Sequence, residues 1–189
     1  MNTANKLTIL RVLMVPLFVV FMLAEYIPGN LIWALIVFAA ASLTDYFDGK
    51  IARKRGLVTE FGKFLDPLAD KILVISALVC FLELGWAKGW MVIIIIAREL
   101  MISGVRLVAA GGKDKIVIAA DFLGKLKTAA TMTAIILILC FEIIIGFGFE
   151  IIKLAEIISL VLMSAVTLLT VISGVSYIVK NKAIFKEEK

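Results

Sequence analysis

Histidine is absent from all 189 residues. That removes the usual general base near neutral pH and the commonest protein ligand for zinc or copper. A catalytic base or metal ligand in this chain is therefore expected to be a carboxylate. Cysteine is scarce: Cys80 and Cys140 each sit inside an apolar run. Such placement argues against a disulfide framework or a thiolate metal site and makes both packing residues. Acidic side chains are outnumbered, 15 against 20 lysines and arginines, for a formal net charge of +5.

What the chain has in excess is apolar surface. Hydrophobic residues make up 62% of it and the mean hydropathy is +1.09, where an ordinary soluble domain is roughly half apolar. Runs long enough to cross a hydrocarbon core of about 30 Å recur from end to end, which predicts one membrane domain over residues 1–189. Six segments stand out, at about 9–24, 31–48, 64–84, 90–109, 127–145 and 154–179. Continuous runs such as MVIIIIA do not alternate as barrel strands must, so the expected fold is all-α, with six transmembrane helices. Turn signals separate the segments: Pro28-Gly29-Asn30, Gly85 with Gly89, Gly111-Gly112, and Gly146 with Gly148. The first run has no small-residue cleavage site and reads as a retained helix. No internal repeat is visible.

Of the 20 basic residues only Lys88 and Lys153 fall on one side of these connections. The positive-inside rule then places both termini in the cytoplasm. The basic excess thus means topology and contact with anionic lipid, and no stacking pattern or recognition motif points to nucleic acid. Polar residues at roughly helical spacing from Asn5 to Arg11 predict a short N-terminal helix lying in the membrane interface; the alternative is that Asn5 caps the first span.

Residues 44–71 read TDYFDGKIARKRGLVTEFGKFLDPLADK and place four aspartates at the mouths of two neighbouring spans. Intramembrane carboxylates are functional by default, although aspartates at a mouth can simply sit in water. On a helical projection Asp45, Asp48, Gly49 and Ala52 share a sector of roughly 100°, so two carboxylates lie beside small residues that let a bulky ligand approach. Gly62, Asp66 and Asp70 follow one another at four-residue spacing and form a second acidic face. Four carboxylates brought together repel unless a cation holds them. Hard, all-oxygen donors favour Mg2+ or Mn2+ over zinc, and the lack of an EF-hand loop disfavours structural calcium. Two ions would orient and neutralise a diphosphate, which points to phosphoryl transfer. Arg53 lies roughly 80° from Asp45 and is assigned to a phosphate, while Lys54 and Arg55 read as topology determinants.

The pattern Asp45-x2-Asp48-Gly49-x2-Ala52-Arg53-x8-Gly62-x3-Asp66-x3-Asp70 resembles the motif of the CDP-alcohol phosphotransferases at all eight fixed positions. The resemblance implies a six-helix homodimer that displaces CMP from a CDP-linked lipid by attack of an alcohol. It also implies that Asp45, Asp48 and Asp66 hold metal with help from Asp70, and that Asp70 takes the hydroxyl proton. Gly49, Arg53 and Thr59 would contact the CDP moiety, as would the stretch from Asn5 to Thr8; Thr59 can equally be a plain cap of the third helix. Arg11 matches a recurrent arginine of the family whose role stays open.

The acceptor is read from a second region. Arg98 and Arg106 in the fourth segment lie within roughly 80° of each other, so both can line one cavity, with Lys125 or Lys127 closing it from the next helix. Four cations suggest an anionic co-substrate; alternatively, Arg98 pairs with Glu99 or another acid as a structural contact. The block R-E-x-x-x-S-G-x-R from Arg98, followed by G-K-x-K-T from Gly124, resembles bacterial phosphatidylglycerophosphate synthases. That likeness implies CDP-diacylglycerol and glycerol 3-phosphate as substrates and a bacterial plasma membrane location with a cytoplasm-facing site. Thr131 stands where many of those enzymes have glutamine. Rival readings are another acceptor (phosphatidylglycerol, inositol phosphate or serine) and a cation transporter, which leaves the glycines and Arg53 unexplained.

Overall fold

A computed structural model describes residues 3–55, 60–111, 121–149 and 151–181, with side chains over 9–44, 71–106, 121–149 and 151–181. Six helices and no strand occur among the described residues: α1 (Thr3–Leu23), α2 (Asn30–Arg55), α3 (Glu60–Glu83), α4 (Gly89–Gly111), α5 (Phe122–Gly146) and α6 (Ile152–Lys180). Each covers one of the apolar runs. By length and hydropathy α5 and α6 can cross a membrane, and shorter apolar stretches occupy 9–23 of α1 and 30–44 of α2.

The turns fall where small residues allow them. Gly29, Gly85 and Gly148 have φ of 65°, 79° and 88°, a left-handed conformation that a Cβ would strain. Asp121 caps α5 by accepting the Phe122 N–H at 2.8 Å, which satisfies one of the donors that every helix start leaves unpaired. Hydroxyls within the apolar helices mostly turn back on their own backbone. Thr167 and Thr170 each donate to the carbonyl four residues earlier at 2.7 Å, the local solution where no water is at hand.

Two boundaries differ most from the sequence reading. The separate N-terminal interfacial helix is not there: α1 runs unbroken from Thr3 to Leu23. No glycine or proline lies between Asn5 and Arg11 to interrupt its ladder, so Asn5 is an interior helical residue and not its cap. The second segment also continues past Asp48 to Arg55, because Lys50 to Arg55 contains no helix breaker and long basic side chains are good helix formers.

The core lies where α1, α2, α3 and α5 converge. Phe18, Phe38, Leu78, Phe81, Ile95, Ile135 and Ile138 are fully buried in it. Phe18 and Phe38 meet as tilted rings 5.7 Å apart, and buried Ala34, Ala41 and Ala77 let backbones approach closely. α1 packs on α2 and α3, α6 packs on α4 and α5, and α2 reaches α5 between the two groups. The second group, α4 to α6, encloses the polar residues considered next.

Candidate functional site

The predicted site residues fall into two sets. Asn5 and Thr8 lie on the backbone of α1, Asp45, Asp48, Gly49 and Arg53 on α2, and Asp66 and Asp70 on α3. Their side chains lie outside the described residues, and Thr59 lies outside them altogether. The backbone does put the aspartates at three- and four-residue spacing on two helices that touch. A donor set of carboxylates on such backbones fits a hard divalent cation. Among the described residues no cluster of three or more metal-ligating side chains occurs.

The second set is visible in full. Arg98 and Arg106 on α4 and Lys125 and Lys127 on α5 line one cavity of about 680 Å³, joined by Lys71 from the start of the described side chains of α3. Glu99 is the one carboxylate among its described lining residues. It accepts from Arg98 Nη1 at 2.9 Å and from Lys127 Nζ at 2.5 Å. Lys127 is only 2% exposed, and an ammonium so placed persists only with a carboxylate partner. Arg98 therefore does pair with Glu99, and it does so while lining the cavity.

Hydroxyls complete the wall. Arg98 Nη2 donates to Ser173 Oγ at 3.1 Å, Lys71 donates to Ser103, and Ser103 donates to the Glu99 carbonyl at 2.6 Å. The Arg106 guanidinium lies over the Tyr177 ring, 5.5 Å from its centroid, a cation–π contact that holds the charge in place without neutralising it. The Nε groups of Arg98 and Arg106 are buried without a partner among the described residues. Among the described lining residues five cationic side chains stand against one carboxylate, and in a low-dielectric wall an excess of that sign favours an anion.

Sequence reasoning missed the contribution of α6, which it treated as a plain span. Ser173 and Tyr177 hold the two arginines, and Gly174 sits so close to Arg98 that an added Cβ would lie 3.2 Å from its Cγ. The signal was present as small and polar residues at helical spacing, Thr170, Ser173, Gly174 and Tyr177, all buried. Lys71 and Ser103 were also overlooked, since nothing in their local sequence announces that α3 and α4 bring them together. Thr131, the departure from the usual glutamine, is buried in the same cavity wall, where its hydroxyl donates to the Lys127 carbonyl at 2.9 Å.

A sequence model described as CDP-alcohol phosphatidyltransferase matches residues 1–172. The chain is 42% identical to the CDP-diacylglycerol–glycerol-3-phosphate 3-phosphatidyltransferase of Bacillus subtilis (strain 168), over 95% of each chain. It is 37% identical to the protein of the same name from Rickettsia felis, over 97% of each.

Proposed function

Because the chain belongs to the CDP-alcohol phosphatidyltransferase family, we propose that it transfers the phosphatidyl group of CDP-diacylglycerol to the 1-hydroxyl of glycerol 3-phosphate. The products are phosphatidylglycerophosphate and CMP. The observation that carries the choice of acceptor is the basic cavity: Arg98, Arg106, Lys125, Lys127 and Lys71 converge on it with Glu99 as the one carboxylate among the described lining residues. A phosphomonoester dianion suits that interior, whereas serine, whose carboxylate is offset by an ammonium, gains little from it. The arginines offer planar forks for two phosphate oxygens and the lysines offer point charges.

In this reading Asp45, Asp48, Asp66 and Asp70 would hold Mg2+ or Mn2+, as two ions. The ions supply charge neutralisation for the diphosphate. Arg53, Gly49, Thr59 and the stretch from Asn5 to Thr8 bind the CDP moiety. The basic cavity fixes the acceptor by its phosphate, which turns the attack into an oriented, effectively unimolecular step. Asp70 takes the proton from the 1-hydroxyl as its oxygen bonds to the β-phosphorus, and the bond from that phosphorus to the CMP oxygen breaks. CMP leaves with the electron pair.

All six helices span the plasma membrane with the site and both termini on the cytoplasmic side. Support comes from the distribution of lysine and arginine and from the large apolar side chains that α1 and α6 expose, among them Leu13, Leu17, Ile157, Val161, Leu168 and Val175. A surface of that kind is a liability in water and ordinary in lipid. The homodimer rests on the family resemblance.

The test is CMP release by purified protein supplied with CDP-diacylglycerol and one alcohol at a time. Glycerol 3-phosphate supports turnover, while phosphatidylglycerol, inositol phosphate and serine do not; a faster rate with any of those three replaces the acceptor assignment. Asp70→Asn lowers kcat by at least about 10³-fold with CDP-lipid binding retained, and undiminished turnover refutes the base role.

A further inference from the structure

A second cavity, of about 590 Å³, lies at the other end of the bundle, between the turn joining α3 to α4 and the facing ends of α5 and α6. Thr128 lines the first cavity and Glu142 the second; their separation along α5 is roughly 20 Å by helical rise. Its charged residues among those described are Glu142 from α5, Glu156 from α6 and Lys88 from the turn. Neither glutamate forms an ion pair among the described residues. Ser159 also lines the cavity, is 3% exposed, and has a buried hydroxyl without a partner among the described residues. That is unlike Thr167 and Thr170 on the same helix, which satisfy theirs through the backbone. Buried hydroxyls without partners are rare and call for one.

The occupant must match three features. A volume of this size exceeds what a single ion needs and falls in the range of small-molecule sites. Two carboxylates beside one lysine suit a ligand that carries a cation and an anion together. The rest of the wall is apolar, with Ile145 and Met163 inside and exposed Ile157 and Leu160 at the margin, and Trp86 supplies an amphipathic ring at the turn. We propose that this cavity binds the headgroup of a zwitterionic phospholipid bearing a primary ammonium, in the membrane leaflet opposite the basic cavity. The ammonium, with three donors, is shared by Glu142 and Glu156. Lys88 meets the phosphodiester, Ser159 donates to a headgroup oxygen, and the acyl chains run out past Ile157 and Leu160.

The site is tested on the purified full-length protein in detergent. The protein is offered equal amounts of phosphatidylethanolamine, phosphatidylcholine and phosphatidylglycerol with identical acyl chains, and the retained lipid is counted by native mass spectrometry. Phosphatidylethanolamine should be retained about tenfold over the other two, the preference expected of charge-assisted hydrogen bonds that the others cannot make. The double variant Glu142→Gln/Glu156→Gln should lose that preference, and Arg98→Ala, in the other cavity, should keep it. Lys88→Ala, a change in a solvent-exposed turn that leaves the helices intact, gives an independent reading: retention of phosphatidylethanolamine falls. Equal retention of the three lipids by the wild type, or a preference that survives both the double variant and Lys88→Ala, overturns the proposal. So does binding of Mn2+ alone that the double variant abolishes without any lipid preference, which makes this a small-cation site.

Discussion

Glu99 and the pair Glu142 and Glu156 are carboxylates on the same helical scaffold, at opposite ends and in opposite company. Glu99 lies between Arg98 and Lys127, inside a cavity where positive charge is in excess. Among the described residues, Glu142 and Glu156 share a cavity with one lysine and an unpartnered serine hydroxyl. In the first case the carboxylate serves the protein, since it keeps buried cations charged and in position. In the second the carboxylates outnumber the cation among the described lining residues, an excess that the proposed headgroup would answer. Whether a charge is structural or available to a partner thus follows from what faces it, and helix position alone does not decide it.

Removing the Glu99 charge is the strongest way to break this contrast. Glu99→Gln leaves Lys127 buried without its counter-ion, and loss of one partner of a buried pair costs about 3–5 kcal/mol. We expect a large fall in thermal stability in detergent, measured by differential scanning fluorimetry; an unchanged melting temperature means that Lys127 finds another partner. Next in size is Arg98→Ala, which removes a fork from the basic cavity while Lys127 retains Glu99. A charge-assisted contact worth about 1.5–3 kcal/mol predicts a rise in KM for glycerol 3-phosphate of about 10- to 150-fold, with KM for CDP-diacylglycerol little changed. A parallel rise in both constants would assign Arg98 to general packing.

At the other end the sign reverses. Glu142→Gln relieves repulsion from Glu156, so in lipid-free detergent stability stays level or rises by up to about 1 kcal/mol. A loss as large as that of Glu99→Gln removes the contrast. The smallest effect belongs to Asp121 at the start of α5, whose carboxyl is held below its usual range by the hydrogen bond from Lys180 and then by the Phe122 N–H. A carboxylate lowered on folding stabilises above its unfolded pKa of about 3.9 and ceases to as pH falls through the lowered value. The small difference in melting temperature between wild type and Asp121→Asn should therefore be constant near neutral pH, shrink below about pH 4 and weaken with salt.

Much of this was legible in the chain. The six apolar runs with glycines between them predicted six helices to within a few residues at most ends, because continuous apolar sequence in lipid leaves a backbone only one local way to satisfy itself. Helical projection put Arg98 and Arg106 on one cavity, with Lys125 or Lys127 expected to close it from the next helix; the structure has all four in its lining. The limits have the same physical origin. A projection shows which residues share a face of one helix and says nothing about the helix opposite. Ser173, Gly174 and Tyr177 therefore read as part of an ordinary last span, and Lys71 with Ser103 as unrelated residues.

The sequence by itself determined the class of molecule: an all-helical, apolar chain without histidine, whose aspartate pattern matches the family motif. Those properties are local, set by composition and by spacing along one strand of backbone. Only the tertiary structure decided that Glu99 joins Arg98 to a buried Lys127, that α6 steadies both arginines, and that two glutamates at the far end share a cavity with one lysine among its described lining residues. Electrostatic energy depends on distance and burial, and residues 99 and 127, or 98 and 173, become neighbours only once the helices have packed.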